Sequence, residues 1–82
     1  MYVLSKNQSR LLKLFYSHPE DSFYIQQIGR ILKIKPGVFQ RTLYTMEKQG
    51  ILKSEYKANA RFFRANKEYA VYNELKSIVA KT

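Results

Sequence analysis

FYIQQIGRILKIKPGVFQRTLYTMEKQGIL, residues 23–52, holds two helical repeats separated by three residues. Ile25, Ile28, Ile31 and Leu32 recur at intervals of three and four, which predicts a short helix from about Ile25 to Leu32. Gly29 falls inside it, at a cost of roughly 0.5–1 kcal/mol relative to Ala, so a close crossing by another helix is expected there. After Lys33, Ile34 and Lys35, Pro36 suits the first position of a new helix, where its missing N–H is no loss. That helix is predicted from Pro36 to about Gln49, with Gly50 as its stop. At 100° per residue Phe39, Leu43 and Met46 gather on one side, and Gly37, Gln40, Arg41, Tyr44 and Lys48 on the other. The outer row lacks the Glu and Lys mixture of an ordinary solvated helix, which raises the question of what it touches.

Working outward, Ser5 and Gln8 fit a capping box, and Leu4, Gln8, Leu11 and Phe15 define one side of a first helix, about Lys6 to Ser17. Leu12 and Leu14 widen that stripe on its flanks. Pro19 in HPED ends the helix, and SFY, residues 22–24, continues as a short extended piece. Toward the C-terminus, ILKSEY and RFFRA flank the polar KANA, which predicts a hairpin over about residues 51–65. Phe62 and Phe63 point to opposite faces of a strand, so one belongs to the core and the other lies against a neighbouring helix. Asn66 is a plausible N-cap for a last helix over about 67–80, with Val71, Tyr72, Leu75, Ile78 and Val79 as its apolar stripe. The expected class is mainly α with a small β-hairpin, as a single domain over residues 1–82.

The charge is uneven. Fifteen Lys and Arg against six Asp and Glu give a formal +9 and a pI near 9.9, above the value of about 9 that points to a nucleic-acid partner. Between Lys35 and Asn66 lie seven basic side chains and two acidic ones, a net +5. Hydrophobic residues at 45% support a folded core and argue against disorder. With no cysteine there is no disulfide, thiolate nucleophile or Cys-based zinc site, which fits a cytoplasmic address. MYVLSKNQSRLLKLFY lacks the continuous apolar core of a signal peptide, and no run approaches the ~20 apolar residues of a membrane span.

In order and spacing these pieces resemble the winged helix-turn-helix fold, with three helices, a two-stranded wing and a C-terminal helix. The chain is similar to its ArsR-like group, and most of all to the winged-helix domains that precede nucleotidyltransferase domains in prokaryotic regulators. Residues 23–52 match their helix-turn-helix, about 25–49 here; RFFRAN and YNELKSIVAKT match the end of the wing and the following helix. The resemblance implies that the helix from Pro36 enters the DNA major groove and the wing meets the phosphate backbone. Lys35, Gly37, Gln40, Arg41, Tyr44 and Lys48 then become the recognition residues. Arg41 suits guanine, Gln40 suits adenine, Gly37 admits close backbone approach, and Tyr44 and Lys48 suit phosphates. Lys57, Asn59 and Arg61 would serve the wing. The sequence departs from the resemblance at Lys33 and Lys35, where such domains usually have Gly and then Ser or Thr. A lysine at N-cap supplies no oxygen to the first helical N–H groups.

The expected function is sequence-specific double-stranded DNA binding by a transcriptional regulator. Other readings remain open: a protein-docking or regulatory module of a larger enzyme, single-strand binding through the wing aromatics, or attachment to a membrane surface. Catalysis is disfavoured, because His18 is the lone histidine and Ser17, His18 and Asp21 are too close in sequence to form a triad. No metal-ligand cluster, cofactor motif or small-molecule effector is evident. A homodimer is expected through Leu12, Leu14, Tyr72, Leu75, Ile78 and Val79, read as more apolar surface than one small core needs.

Overall fold

The computed structural model describes residues 4–81, so Met1 to Val3 and Thr82, part of the domain expected over 1–82, lie outside the described residues. The elements run α1 (Lys6–Ser17), β1 (Phe23–Tyr24), α2 (Ile25–Leu32), α3 (Pro36–Lys48), β2 (Leu52–Lys57), β3 (Ala60–Ala65) and α4 (Tyr72–Ala80). This is a winged helix-turn-helix arrangement, with the two helices of the motif at α2 and α3 and the wing at β2–β3.

Local chemistry sets the first boundaries. Gln8 N–H donates to Ser5 Oγ at 3.1 Å and Ser5 N–H donates to Gln8 Oε1 at 3.0 Å, so the capping box forms reciprocally at the start of α1. The apolar stripe of α1 then buries Leu11, Leu12, Leu14, Phe15 and Tyr16. α3 turns Phe39, Leu43 and Met46 into the same core, where they meet Ile28 of α2 and Phe63 of β3, all at most 1% exposed.

The sheet is larger than the expected hairpin. β1 pairs with β3 through Phe23↔Phe63 and Tyr24↔Phe62, giving a three-stranded antiparallel sheet in the order β1-β3-β2. Two residues are too few to be read from periodicity; their pairing is fixed by burial of Phe23 beside Phe15, with ring centroids 5.7 Å apart. Phe63 is the core member of its pair. Phe62 lies on the opposite face against Tyr24 of β1, centroids 5.4 Å apart, rather than against a helix.

The last helix begins at Tyr72, five residues later than expected, and Val71 is 45% exposed. The Asn66 side-chain N–H donates to the Gly50 carbonyl at 2.7 Å, while its Oδ1 accepts from Glu68 N–H at 3.0 Å, as expected of an N-cap. These bonds tie Asn66 to the α3–β2 connection and make a local turn there. Backbone bonds from Tyr69 to Asn66 and from Tyr72 to Tyr69 carry the chain through successive turns to α4.

The apolar surplus assigned to a dimer is consumed inside the single chain. Leu12, Leu14, Tyr72, Leu75 and Val79 are all at most 9% exposed, and Tyr16 packs edge-on against Tyr72 with centroids 5.1 Å apart. Of the six expected interface residues only Ile78 is exposed, at 37%. A chain this short closes its core by placing α4 across α1, so both helices need wide apolar stripes.

Candidate nucleic-acid interface

The geometry of the helix-turn-helix follows from the tight turn at its centre. Lys33 adopts the left-handed conformation (φ 59°, ψ 42°), a region that favours glycine. The N–H groups of Lys33 and Ile34 both reach the Gly29 carbonyl, the latter at 3.0 Å. The close approach anticipated at Gly29 is made by the turn and by the first residue of α3: a Cβ there would lie 2.9 Å from the Ile34 carbonyl oxygen and 3.5 Å from Pro36. Lys35 caps α3 without a side-chain hydrogen bond, as its chemistry requires. The first turn of α3 is held from behind, where the Asn7 side chain donates to the Val38 carbonyl at 3.1 Å.

Along the outer side of α3, Gly37, Gln40, Arg41, Tyr44 and Lys48 line one shallow groove together with Thr45, which sequence reasoning passed over. Gly37, Arg41, Tyr44, Thr45 and Lys48 are exposed and Gln40 is half-buried. Gln40 donates to the Tyr44 hydroxyl at 3.1 Å, which orients both side chains along the helix. Gly37 differs from Gly29, because no heavy atom of the fold lies within 4 Å of where its Cβ would stand. Internal packing therefore gives no reason for a glycine at this position.

The cations divide into two groups. Lys53 meets Glu68 at 2.7 Å, Lys57 meets Glu55 at 3.5 Å, and Arg61 meets Glu47 at 3.2 Å. Lys53 also holds the Glu68 carboxyl below the usual carboxylate range, by hydrogen bonding and by charge. Lys33, Lys35, Arg41 and Lys48 have no acidic partner among the described residues. Four of the cations without an acidic partner thus lie at the turn and along α3, while others stand on α1, α2 and α4.

Arg61 departs from its expected place as a wing-tip phosphate donor. It faces α3, donates from Nε to Ser54 Oγ at 3.2 Å, and pairs with Glu47 across the wing–helix junction. Ser54 in turn donates to Glu47 Oε2 at 3.2 Å. Strand alternation explains the inward direction, because Arg61 is paired with Tyr56 on the face of the sheet that also carries Phe63. Lys57 and Asn59 remain exposed at the tip, with the Lys57 ammonium 5.6 Å from the Phe62 ring centroid. Tyr56, 74% exposed, is a residue the sequence reading missed; the same alternation from Leu52 through Ser54 could have placed it on the side facing α3.

Among the described residues no group of three or more His, Cys, Asp or Glu side chains could hold a metal ion. No described helix is long and apolar enough to cross a membrane.

No protein-family model matches the chain, and no curated protein resembles it in sequence. Solved structures do resemble it in fold. A possible transcriptional regulator from Methanosarcina mazei Go1 aligns with a TM-score of 0.73 at 17% identity, covering 95% of this chain and 66% of that one. Ligand-free NadR aligns with a TM-score of 0.67 at 18% identity, covering 95% of this chain and 55% of NadR. The chain therefore spans between about half and two thirds of the length of these neighbours. At such identities the likeness establishes a shared winged-helix fold.

Proposed function

We propose that this chain is a sequence-specific double-stranded-DNA-binding module of a transcriptional regulator of the prokaryotic, ArsR-like type, acting in the cytoplasm. α3 enters the major groove, and Lys57 and Asn59 approach the phosphate backbone. The observation that carries this reading is the outer row of α3, where Arg41 and Lys48 stand exposed and unpaired beside Gln40 and an unpacked Gly37. Arg41 matches the bidentate acceptor pair of guanine, and Gln40 matches the donor–acceptor pair of adenine. Lys33 and Lys35 place two further cations at the turn, where a phosphate would offset their unfavourable position near the start of a helix.

Ile31 and Val38, 47% and 57% exposed beside the turn, favour a second reading as a protein-docking surface. Selection of bound sequences from random duplexes, followed by titration of the selected duplex at several salt concentrations, separates the two. A DNA-binding module enriches a defined sequence and loses affinity steeply with salt, because phosphate neutralisation releases counterions. Absence of enrichment with a shallow salt response would reject the DNA reading in favour of protein docking.

A further inference from the structure

The junction between wing and α3 carries a contact that charge alone does not reveal. The Arg61 guanidinium carbon lies 5.2 Å from the Tyr44 ring centroid, 5.8 Å from that of Tyr56 and 5.1 Å from that of Phe63. Phe63 is fully buried, so it forms the floor; Tyr44 belongs to the recognition row and Tyr56 to the wing. Arg61 is held in place by Glu47 at 3.2 Å and by Ser54 at 3.2 Å, with Ser54 itself bonded to Glu47. Its charge is therefore committed to the junction, and its planar face supports the two tyrosines.

Tyr56 is the most exposed large apolar side chain among the described residues, at 74%. A lone exposed tyrosine on a surface needs no explanation. Tyr56 is distinguished by lying against the same guanidinium as a residue of the recognition row, while an arginine pinned by two partners holds it there. A tyrosine presents a rigid apolar ring with a polar tip and only two rotatable side-chain bonds, so it contacts a sugar face with little loss of entropy.

We propose that Tyr56 is a DNA-contacting residue of the wing, laying its ring on the deoxyribose edge of the strand that borders the groove entered by α3, with Arg61 as its positioning residue. This rests on the duplex-binding reading given above. The contact is uncharged and adds affinity without adding to the salt dependence. Arg61 acts through geometry, so lysine, which keeps the charge but lacks the planar fork, does not replace it.

The test measures duplex affinity across a salt series for the wild-type chain and for Tyr56→Ala, Tyr56→Phe and Arg61→Lys, with thermal melting to verify folding. Tyr56→Ala is expected to weaken binding about tenfold with an unchanged slope of log K against log salt. Tyr56→Phe is expected to retain most of the affinity. Arg61→Lys is expected to weaken binding as Tyr56→Ala does, also at constant slope. Since the chain has no tryptophan, Tyr56→Trp supplies a single tryptophan that can be excited selectively over the remaining tyrosines, and its emission should change when duplex binds.

Wild-type affinity in Tyr56→Ala, or an emission from Tyr56→Trp indifferent to duplex, would overturn the contact. Full affinity in Arg61→Lys would make Arg61 a simple cation and overturn its positioning role. A loss confined to single-stranded DNA would replace the sugar contact by base stacking. If the wild-type chain bound no duplex at all, the proposed function would fail first, and that result is distinguishable from all the others.

Discussion

Gly29 faces the carbonyl oxygen of Ile34 so closely that a Cβ would stand 2.9 Å from it. The nearest atom belongs to the backbone of the turn and cannot swing aside as a flexible side chain would. Gly29→Ala gains roughly 0.5–1 kcal/mol of helix propensity but meets an overpacking cost of about 1–3 kcal/mol, so the clash prevails. Urea unfolding should show a net loss of stability, and duplex affinity should fall with it because the turn sets the direction of α3.

Gly37 should respond in the opposite way. Its missing Cβ faces open space, so Gly37→Ala is expected to raise stability by a few tenths to about 1 kcal/mol. If DNA backbone approaches this position, the same substitution weakens binding at least several-fold. A variant that melts higher and binds as tightly as wild type would remove Gly37 from the interface.

Two side chains distinguish base reading from phosphate contact. Arg41→Ala is expected to cost ~1–3 kcal/mol of specific binding and to relax preference at one base position in a sequence selection. Lys57→Ala should weaken all duplexes alike and lower the salt slope by about 1, as one phosphate contact is lost. An altered sequence preference in the Lys57 variant would show that the wing reads bases.

Ala58 opens the two-residue wing turn with φ +54°, a conformation that favours glycine at the first position of such a loop. Relief of a left-handed strain of roughly 1–2 kcal/mol exceeds the extra unfolded-state entropy of glycine. Ala58→Gly should therefore raise the unfolding free energy by about 0.5–1 kcal/mol. Denaturant melts check the sign, and a destabilised variant would mean that the turn gains nothing from glycine.

Leu75 is 3% exposed in the α1–α4 contact. Leu75→Ala should cost about 2–5 kcal/mol of folding stability, the usual range for a buried leucine. Sedimentation equilibrium at fixed protein concentration should give the same mass for the folded variant and the wild type. A fall in mass without loss of stability would show that this residue faces a second copy instead of its own α1.

The sequence by itself determined the helical elements of the motif and the wing, because their signals are local. Ser5 and Gln8 capped α1, the three-and-four spacing of Ile25, Ile28, Ile31 and Leu32 marked α2, and Pro36 opened α3. It also separated the outer row of α3 from Phe39, Leu43 and Met46, since 100° per residue admits only one such division. Tertiary structure decided what depends on partners distant in the chain. Asn66 Oδ1 makes the bond to Glu68 N–H expected of an N-cap, yet the backbone continues in successive turns through Tyr69 and α4 starts only at Tyr72. The stripes of α1 and α4 became internal because each is the other's nearest apolar surface, which no reading of either stripe alone reveals. Arg61 turned from tip to junction for the same reason: its charge has a carboxylate, Glu47, fourteen residues earlier, and only the packing of the wing on α3 brings the two within 3.2 Å.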